Sequence, residues 1–296
     1  MTTFILVGAN FAIWQPQKDA LLIEWSIPVA ESEAFGGDIV ECGDTFHSEI
    51  ISTRVRIRRS TEGGVIEVEL AVIIPTLDEE FSIGGCLDSV GTHEEVEVIV
   101  ADGGSSDRTR EKARSGGARV VTGAPGRGPQ LNLGASSTTA NKLLFLHADC
   151  RVPEGWMPAL NRVLDDEDTS LACFRLRTLA SGTSEPSILR RLWLRVFDLR
   201  SRGLGPPYGD QGFAVRRTVF DGAGRFPEIP LMEDVAFARA CRRLGRVHRL
   251  PLEIRTTARR VESSPVRTTL VLATFPTLFR LGVDPKTLAR WYGNAR

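Results

Sequence analysis

The chain has 296 residues, 42% hydrophobic and 25% charged, the proportions of a globular protein rather than of a disordered chain or a membrane bundle. Lys plus Arg and Asp plus Glu both number 37, and no basic stripe gathers the cations, so nucleic acid is not an expected partner. The five cysteines, Cys42, Cys86, Cys150, Cys173 and Cys241, lie far apart without a CxxC pair, which argues against a zinc knuckle or disulfide framework and for a reducing, cytoplasmic setting.

Residues 1–68 read as a β-rich appendage of unknown role, with short apolar runs at Thr3 to Val7, Ala20 to Ile27 and Ile50 to Arg58. The apolar N-terminus has no basic n-region and no small-residue cleavage site, so it is expected to belong to a fold rather than to a secretory signal. Arg58 to Gly64 has the charge and glycine content of a linker.

From Val68 apolar runs alternate with helical segments: strand Ala71 to Ile74, helix Glu79 to Val90, strand Val96 to Ala101, helix Asp107 to Ser115, strand Ala118 to Val121, helix Gln130 to Ala135, and strand Lys142 to His147. Short continuous apolar runs between helices predict an α/β fold, a mostly parallel sheet with helices on both faces. Ligands in such sheets sit beyond the carboxyl ends of the strands. After the first strand, Pro75-Thr76-Leu77-Asp78-Glu79-Glu80 places acids where they complement a helix dipole. After the second, Asp102 either stabilises its turn or faces the crevice, there accepting from a base imide or a ribose hydroxyl. The fourth ends His147-Ala148-Asp149, and one carboxylate facing a diphosphate suits Mg2+ or Mn2+.

These segments resemble the GT-A fold of family 2 glycosyltransferases, which carry Pro-x-x-Asn-Glu after the first strand, Asp-Gly-Ser-x-Asp after the second and Asp-x-Asp after the fourth. Asp78 stands in the usual Asn position and His147 in place of the first metal acid. A bacterial subgroup linked to radical-SAM and selenoprotein-like genes is similar in its His-Ala-Asp segment and in Gly126 to Ala135. The resemblance covers residues 69–262 as the transferase domain, with 263–296 as a helical tail. It implies a nucleoside-diphosphate sugar, UDP- or GDP-linked, bound by Pro75, Thr76, Leu77, Glu79, Asp102, Arg127, Gln130, Ala148 and Asp149, with Asp149 as metal ligand. Arg127 neutralises diphosphate in this reading, or is a solvated loop arginine; Gln130 and Asn132 read hydroxyls or amides. His147 is a structural hydrogen-bonding residue, or touches ribose or metal.

Downstream, Gly205 to Phe213 reads as a shaped loop, and the resemblance makes Asp210 and Gln211 candidates for acceptor recognition, against plain turn chemistry. Glu233-Asp234 opens an amphipathic helix. These acids cap it, or, by resemblance, Glu233 meets the acceptor and Asp234 is the catalytic base of an inverting transfer to an unknown hydroxyl. Arg259 and Arg260 face diphosphate or a charged acceptor, or are a solvated basic turn. Val266 to Val283 is too polar to span a membrane and suits a packed or surface-lying helix, with peripheral contact at the inner membrane face the minority reading. The alternative function is a non-catalytic sugar-nucleotide or membrane-surface binding module with a degenerate metal site. A dehydrogenase is excluded because Gly-x-Gly-x-x-Gly is missing after the first strand.

Overall fold

The computed structural model describes residues 3–7, 10–14, 21–23, 57–59, 68–180, 187–203, 206–258, 262 and 264–293. The chain divides into two units, Met1–Glu67 and Val68–Arg296. In the first, β1 (Thr3–Val7), β2 (Asn10–Trp14), β3 (Leu21–Ile23) and β4 (Ile57–Arg59) pair in succession as an antiparallel sheet. Of the expected linker from Arg58 to Gly64, Arg58 and Arg59 belong to β4, and Ser60 to Gly64 lie outside the described residues.

The second unit begins with β5 (Leu70–Thr76), α1 (Ile83–Val90), β6 (Val96–Asp102), α2 (Thr109–Ser115), β7 (Arg119–Thr122), α3 (Arg127–Ser136) and β8 (Lys142–Phe145). It continues through β9 (Cys150–Arg151), α4 (Trp156–Leu164), β10 (Thr169–Leu179), α5 (Ile188–Asp198), β11 (Phe213–Arg216), α6 (Arg217–Gly222), α7 (Glu233–Leu244) and β12 (Arg246–Thr257). Two further helices follow, α8 (Pro265–Arg280) and α9 (Pro285–Tyr292). The strands form one sheet in the order β7-β6-β5-β8-β11-β10-β12-β9. β5 pairs parallel with β6 and β8, β6 with β7, and β10 with β12; β11 runs antiparallel to both β8 and β10.

Side chains on a strand point alternately to its two faces, and β5 supplies a core to each. Leu70, Val72 and Ile74 join one buried cluster with Ile83 and Leu87 of α1 and Leu160 of α4. Ala71 and Ile73 join the other with Leu131 of α3 and Phe237 of α7. Helices therefore cover both faces, as the continuous apolar runs require. A third cluster seats the C-terminal helices, with Val271, Phe275 and Leu288 packed against Met232 and Val235 at the start of α7.

Two helices begin later than their sequence suggests. Around Glu79 and Glu80 the amides donate to side chains of the neighbouring loop, Thr109 Oγ1 at 2.8 Å and Asp107 at 3.1 Å, and the regular helix starts only at Ile83. Asp107 accepts from Thr109 N at 2.9 Å, so α2 starts at Thr109 rather than Asp107. By contrast, α3 starts early, at Arg127, since Pro129 is tolerated in a first turn whose amides have no intrahelical partner. Among the described residues no helix is long and apolar enough to cross a membrane.

Candidate active site

The loops after β5 and β6 are latched together. Asp78 has left-handed backbone, φ 55°, which Asp and Asn tolerate better than other side chains; this accounts for Asp where the resembled pattern has Asn. Its carboxylate accepts from the Ser106 amide at 2.8 Å and the Ser106 hydroxyl at 3.1 Å, while its own amide donates to Ser105 Oγ at 2.9 Å.

Asp102 is 0% exposed. Its Oδ1 accepts from the amides of Gly104 at 3.1 Å and Ser105 at 3.0 Å, its Oδ2 from the hydroxyls of Thr76 at 3.2 Å and of Ser105, and Arg110 stands 3.7 Å away. This departs from a crevice-facing carboxylate: the turn's own donors occupy both oxygens, and the turn-stabilising alternative describes the geometry. Gln130 departs from the expectation in the same way. Its Nε2 donates to the carbonyls of Thr76 and Ala101, each at 2.7 Å, and its Oε1 accepts from Gly126 N at 3.2 Å, which exhausts its two N–H groups on the ends of β5 and β6. Asn132 is likewise closed in a reciprocal pair with the Phe226 backbone. Pro75 and Thr76 end β5, with Leu77 and Glu79 partly buried just beyond, and Ala148 is buried between His147 and Asp149.

Across from these strand ends, the short 3-10 turn Gly209–Gln211 meets the first turn of α7. The Gly209 amide donates to Asp234 Oδ2 at 2.8 Å. A methyl on Gly209 would lie 2.9 Å from His147 Nε2 and 3.4 Å from Asp234 Cβ, so the turn closes directly over the β8 end. The Cys150 thiol, next to Asp149, donates to the Asp210 carbonyl at 3.5 Å. Asp210 Oδ2 pairs with Arg200 at 2.5 Å, and the guanidinium lies over the rings of Phe197 at 4.5 Å and Tyr208 at 4.9 Å. Asp210 Oδ1 is buried with no hydrogen-bond partner among the described residues. Gln211 does not face this space: it is 0% exposed, donating to the Phe174 carbonyl at 2.9 Å and accepting from Tyr208 N at 3.0 Å. Acceptor contact by Gln211 is therefore at odds with a side chain whose polar atoms hold the loop to β10. Arg259 and Arg260 lie outside the described residues.

Arg127, the first residue of α3, reaches Glu233 at 3.7 Å. Glu233 is 4% exposed, and burial together with the neighbouring Asp234 charge pushes its carboxyl up to about 7, against the pull of Arg127. Burial, helped by Arg127, holds the His147 imidazole below its ordinary value against the opposing pull of Asp149, Asp210 and Asp234. Arg127, His147, Asp149, Asp210, Glu233 and Asp234 thus share one electrostatic neighbourhood at the carboxyl end of β8. Gly209 and Arg200 belong with them and were not singled out by sequence. The glycine's only signal is its place beside Asp210, and Arg200 is one arginine among several on an Arg-rich segment.

Among the described residues no group of three or more His, Cys, Asp or Glu side chains is assembled for a metal. The donor set fits a divalent cation all the same: Asp149 is a partly buried carboxylate, and Mg2+ commonly takes one or two carboxylates and completes its shell with phosphate oxygens and water.

Residues 71–222 match the sequence profile described as Glycosyl transferase family 2. A curated relative, glucosyl-3-phosphoglycerate synthase of Mycolicibacterium paratuberculosis, is 33% identical over 92 residues, which cover 27% of this chain and 28% of that protein. The chain thus aligns with little more than a quarter of that relative. Among solved structures, S. aureus TarS residues 1–349 aligns with a TM-score of 0.49 at 18% identity, covering 71% of this chain and 65% of that one. Glucosyl-3-phosphoglycerate synthase from Mycobacterium tuberculosis, in complex with Mn2+, UDP and phosphoglyceric acid, aligns with a TM-score of 0.48 at 23% identity, covering 73% and 79%.

Proposed function

Because the chain belongs to glycosyl transferase family 2 and folds as the mixed, mostly parallel sheet of the GT-A class, we propose that it moves a sugar from a nucleoside-diphosphate donor, UDP- or GDP-linked, to an acceptor hydroxyl with inversion at the anomeric carbon. The observation that carries this reading is the facing of Asp234 and the His147–Asp149 segment across the Gly209 turn.

In this reading the domain is residues 69–262, with 263–296 as its tail. Asp234 takes the proton of the acceptor hydroxyl as its oxygen attacks the anomeric carbon and the bond to the diphosphate breaks. The amide of Gly209 holds the base in place. Asp210 keeps Oδ1 for an acceptor hydroxyl. The departing diphosphate gains negative charge, which Arg127 faces at the start of α3, where helix amides also favour an anion. Asp149 would hold Mg2+ or Mn2+, which supplies charge neutralisation to the diphosphate when bound. His147, neutral at the same strand end, hydrogen-bonds a donor hydroxyl. The His147-Ala148-Asp149 segment supports kinship with the radical-SAM-associated subgroup. The buried free thiols of Cys86, Cys150, Cys173 and Cys241 support a reducing, cytoplasmic setting.

The test is release of nucleoside diphosphate from UDP- and GDP-sugars with Mn2+, glucose donors first. Asp234→Asn is expected to keep donor binding and lower release by about a hundred- to ten-thousand-fold, the usual worth of a positioned general base. Asp149→Ala is expected to abolish metal-dependent donor binding. Full release by Asp234→Asn would overturn the base assignment. A second reading, donor binding without transfer, is favoured by His147 in place of the first metal acid; thermal protection by donors with no release from any of them would support it.

A further inference from the structure

α5 carries apolar side chains on both of its sides. Inward, Leu194 and Asp198 are buried, and the Asp198 carboxylate accepts from the Thr178 amide and hydroxyl. On the opposite side Ile188, Leu189, Leu192, Val196 and, in the turn after the helix, Leu199 form a stripe at the i, i+3, i+7 spacing of one helix face. Ile188 is 77% exposed, Leu189 79%, and the other three between 42% and 58%. Scattered exposed leucines need no explanation, but a continuous stripe of five does.

The stripe has basic company. Between Ser187 and Gly203 the sequence holds five arginines and a single acid, the buried Asp198; Arg190 is paired with Glu262 and Arg200 with Asp210. Beside the stripe opens a cavity of about 330 Å³ lined by Arg177, Arg195 and Arg202 together with Leu192, Val196, Leu199 and Asp198. The Asp198 carboxyl is consumed by Thr178, and Arg202 only leans on Glu253 at 3.5 Å, both side chains being nearly half exposed, a pairing worth little in water.

We propose that this face of α5 docks on an anionic phospholipid surface, with the stripe entering the acyl boundary and the Arg177–Arg195–Arg202 cavity receiving a headgroup phosphate. Charge complementarity selects this occupant. A second copy laid on the same stripe would set arginine against arginine, and a neutral surface would offer Arg177 and Arg195 no counter-charge. The C-terminal helices, where the sequence alone suggested surface contact, instead spend Val271, Phe275 and Leu288 on packing against α7. Arg200, the residue after Leu199 of the stripe, grips Asp210, so a docked molecule would hold its candidate acceptor loop through the neighbour of a membrane-facing residue.

The experiment is co-sedimentation of the full chain with phosphatidylcholine vesicles and with vesicles of phosphatidylcholine and phosphatidylglycerol in a two-to-one ratio. Binding to the anionic vesicles is expected to be about ten- to a hundred-fold tighter, as three arginines near a charged surface should give, and to weaken at high salt. The double variant Leu192→Glu, Val196→Glu should lose most of this binding, and Arg195→Ser with Arg202→Ser should lose the anionic preference. All four side chains lie on the surface or at the cavity mouth, and unchanged thermal unfolding of each variant verifies its fold. The proposal fails if anionic and neutral vesicles bind alike or not at all, or if the glutamate variant binds as well as the parent. It also fails if the parent is a dimer that the glutamate variant dissociates, or if inorganic phosphate binds the cavity while vesicles do not.

Discussion

Gly209 is the residue on which the site closes. Its amide holds Asp234, and the space where a side chain would begin is filled by His147 Nε2 at 2.9 Å. Gly209→Ala keeps the amide but crowds the His147 imidazole, and a shift of about half an ångström in a reacting constellation should cost on the order of ten-fold in turnover. Steady-state release of nucleoside diphosphate, with donor binding measured separately, checks it; an unimpaired rate would remove Gly209 from the site. Glu233 makes a second prediction, about pH. Its folded value, about 7, lies above the ordinary 4.5, so the folded chain holds a proton that the unfolded chain has lost between those values. The associated stability is fully present below pH 4.5 and is lost as pH rises through 7, by an amount on the order of 3 kcal/mol at most. Glu233→Gln should flatten that fall and unfold at higher denaturant than the parent at pH 8. A parent that gains stability relative to the variant between pH 5 and pH 8 would contradict the sign.

The elements that bear the site are held by polar side chains whose work the sequence disguised. Gln130 ties α3 to the ends of β5 and β6 through two carbonyls. Gln130→Ala strands both inside the protein at about 1–3 kcal/mol each, so a loss of about 3 kcal/mol is expected in chemical denaturation; a loss under half of that would mean water replaces the amide. The strand-end positions of Asp78, Asp102 and Asp149 were legible because a parallel sheet writes its ligand crevice into the residues after each apolar run. Their partners were not legible. A buried amide or carboxylate looks the same in sequence whether its donors and acceptors belong to a ligand or to the next loop, and Asp102, Gln130 and Gln211 all found theirs within the chain. The far half of the sheet was also hidden. β10 and β12 carry arginines at Arg175, Arg177, Arg249 and Arg255 among their apolar residues, which blurs the buried-strand pattern. β11 follows a Gly/Pro-rich loop and runs antiparallel between two strands, an arrangement no local pattern encodes.

At the scale of the molecule, the three hydrophobic clusters found among the described residues are built from the Val68–Arg296 unit. A chain beginning at Val68 retains all three clusters and the candidate site residues from Pro75 to Asp234, and is expected to unfold cooperatively in chemical denaturation. Loss of cooperative unfolding would make the first unit a structural partner rather than an appendage. The third cluster carries a different consequence. Leu288, near the far end of the chain, is packed beneath the turn that presents Glu233 and Asp234. Folding can begin during synthesis, and the sheet and its strand-end loops precede Leu288 in the chain, so they can form while the Glu233–Asp234 turn still lacks that support. On the proposed assignment, a chain cut short before Leu288 should bind a nucleoside-diphosphate sugar and release little diphosphate from it.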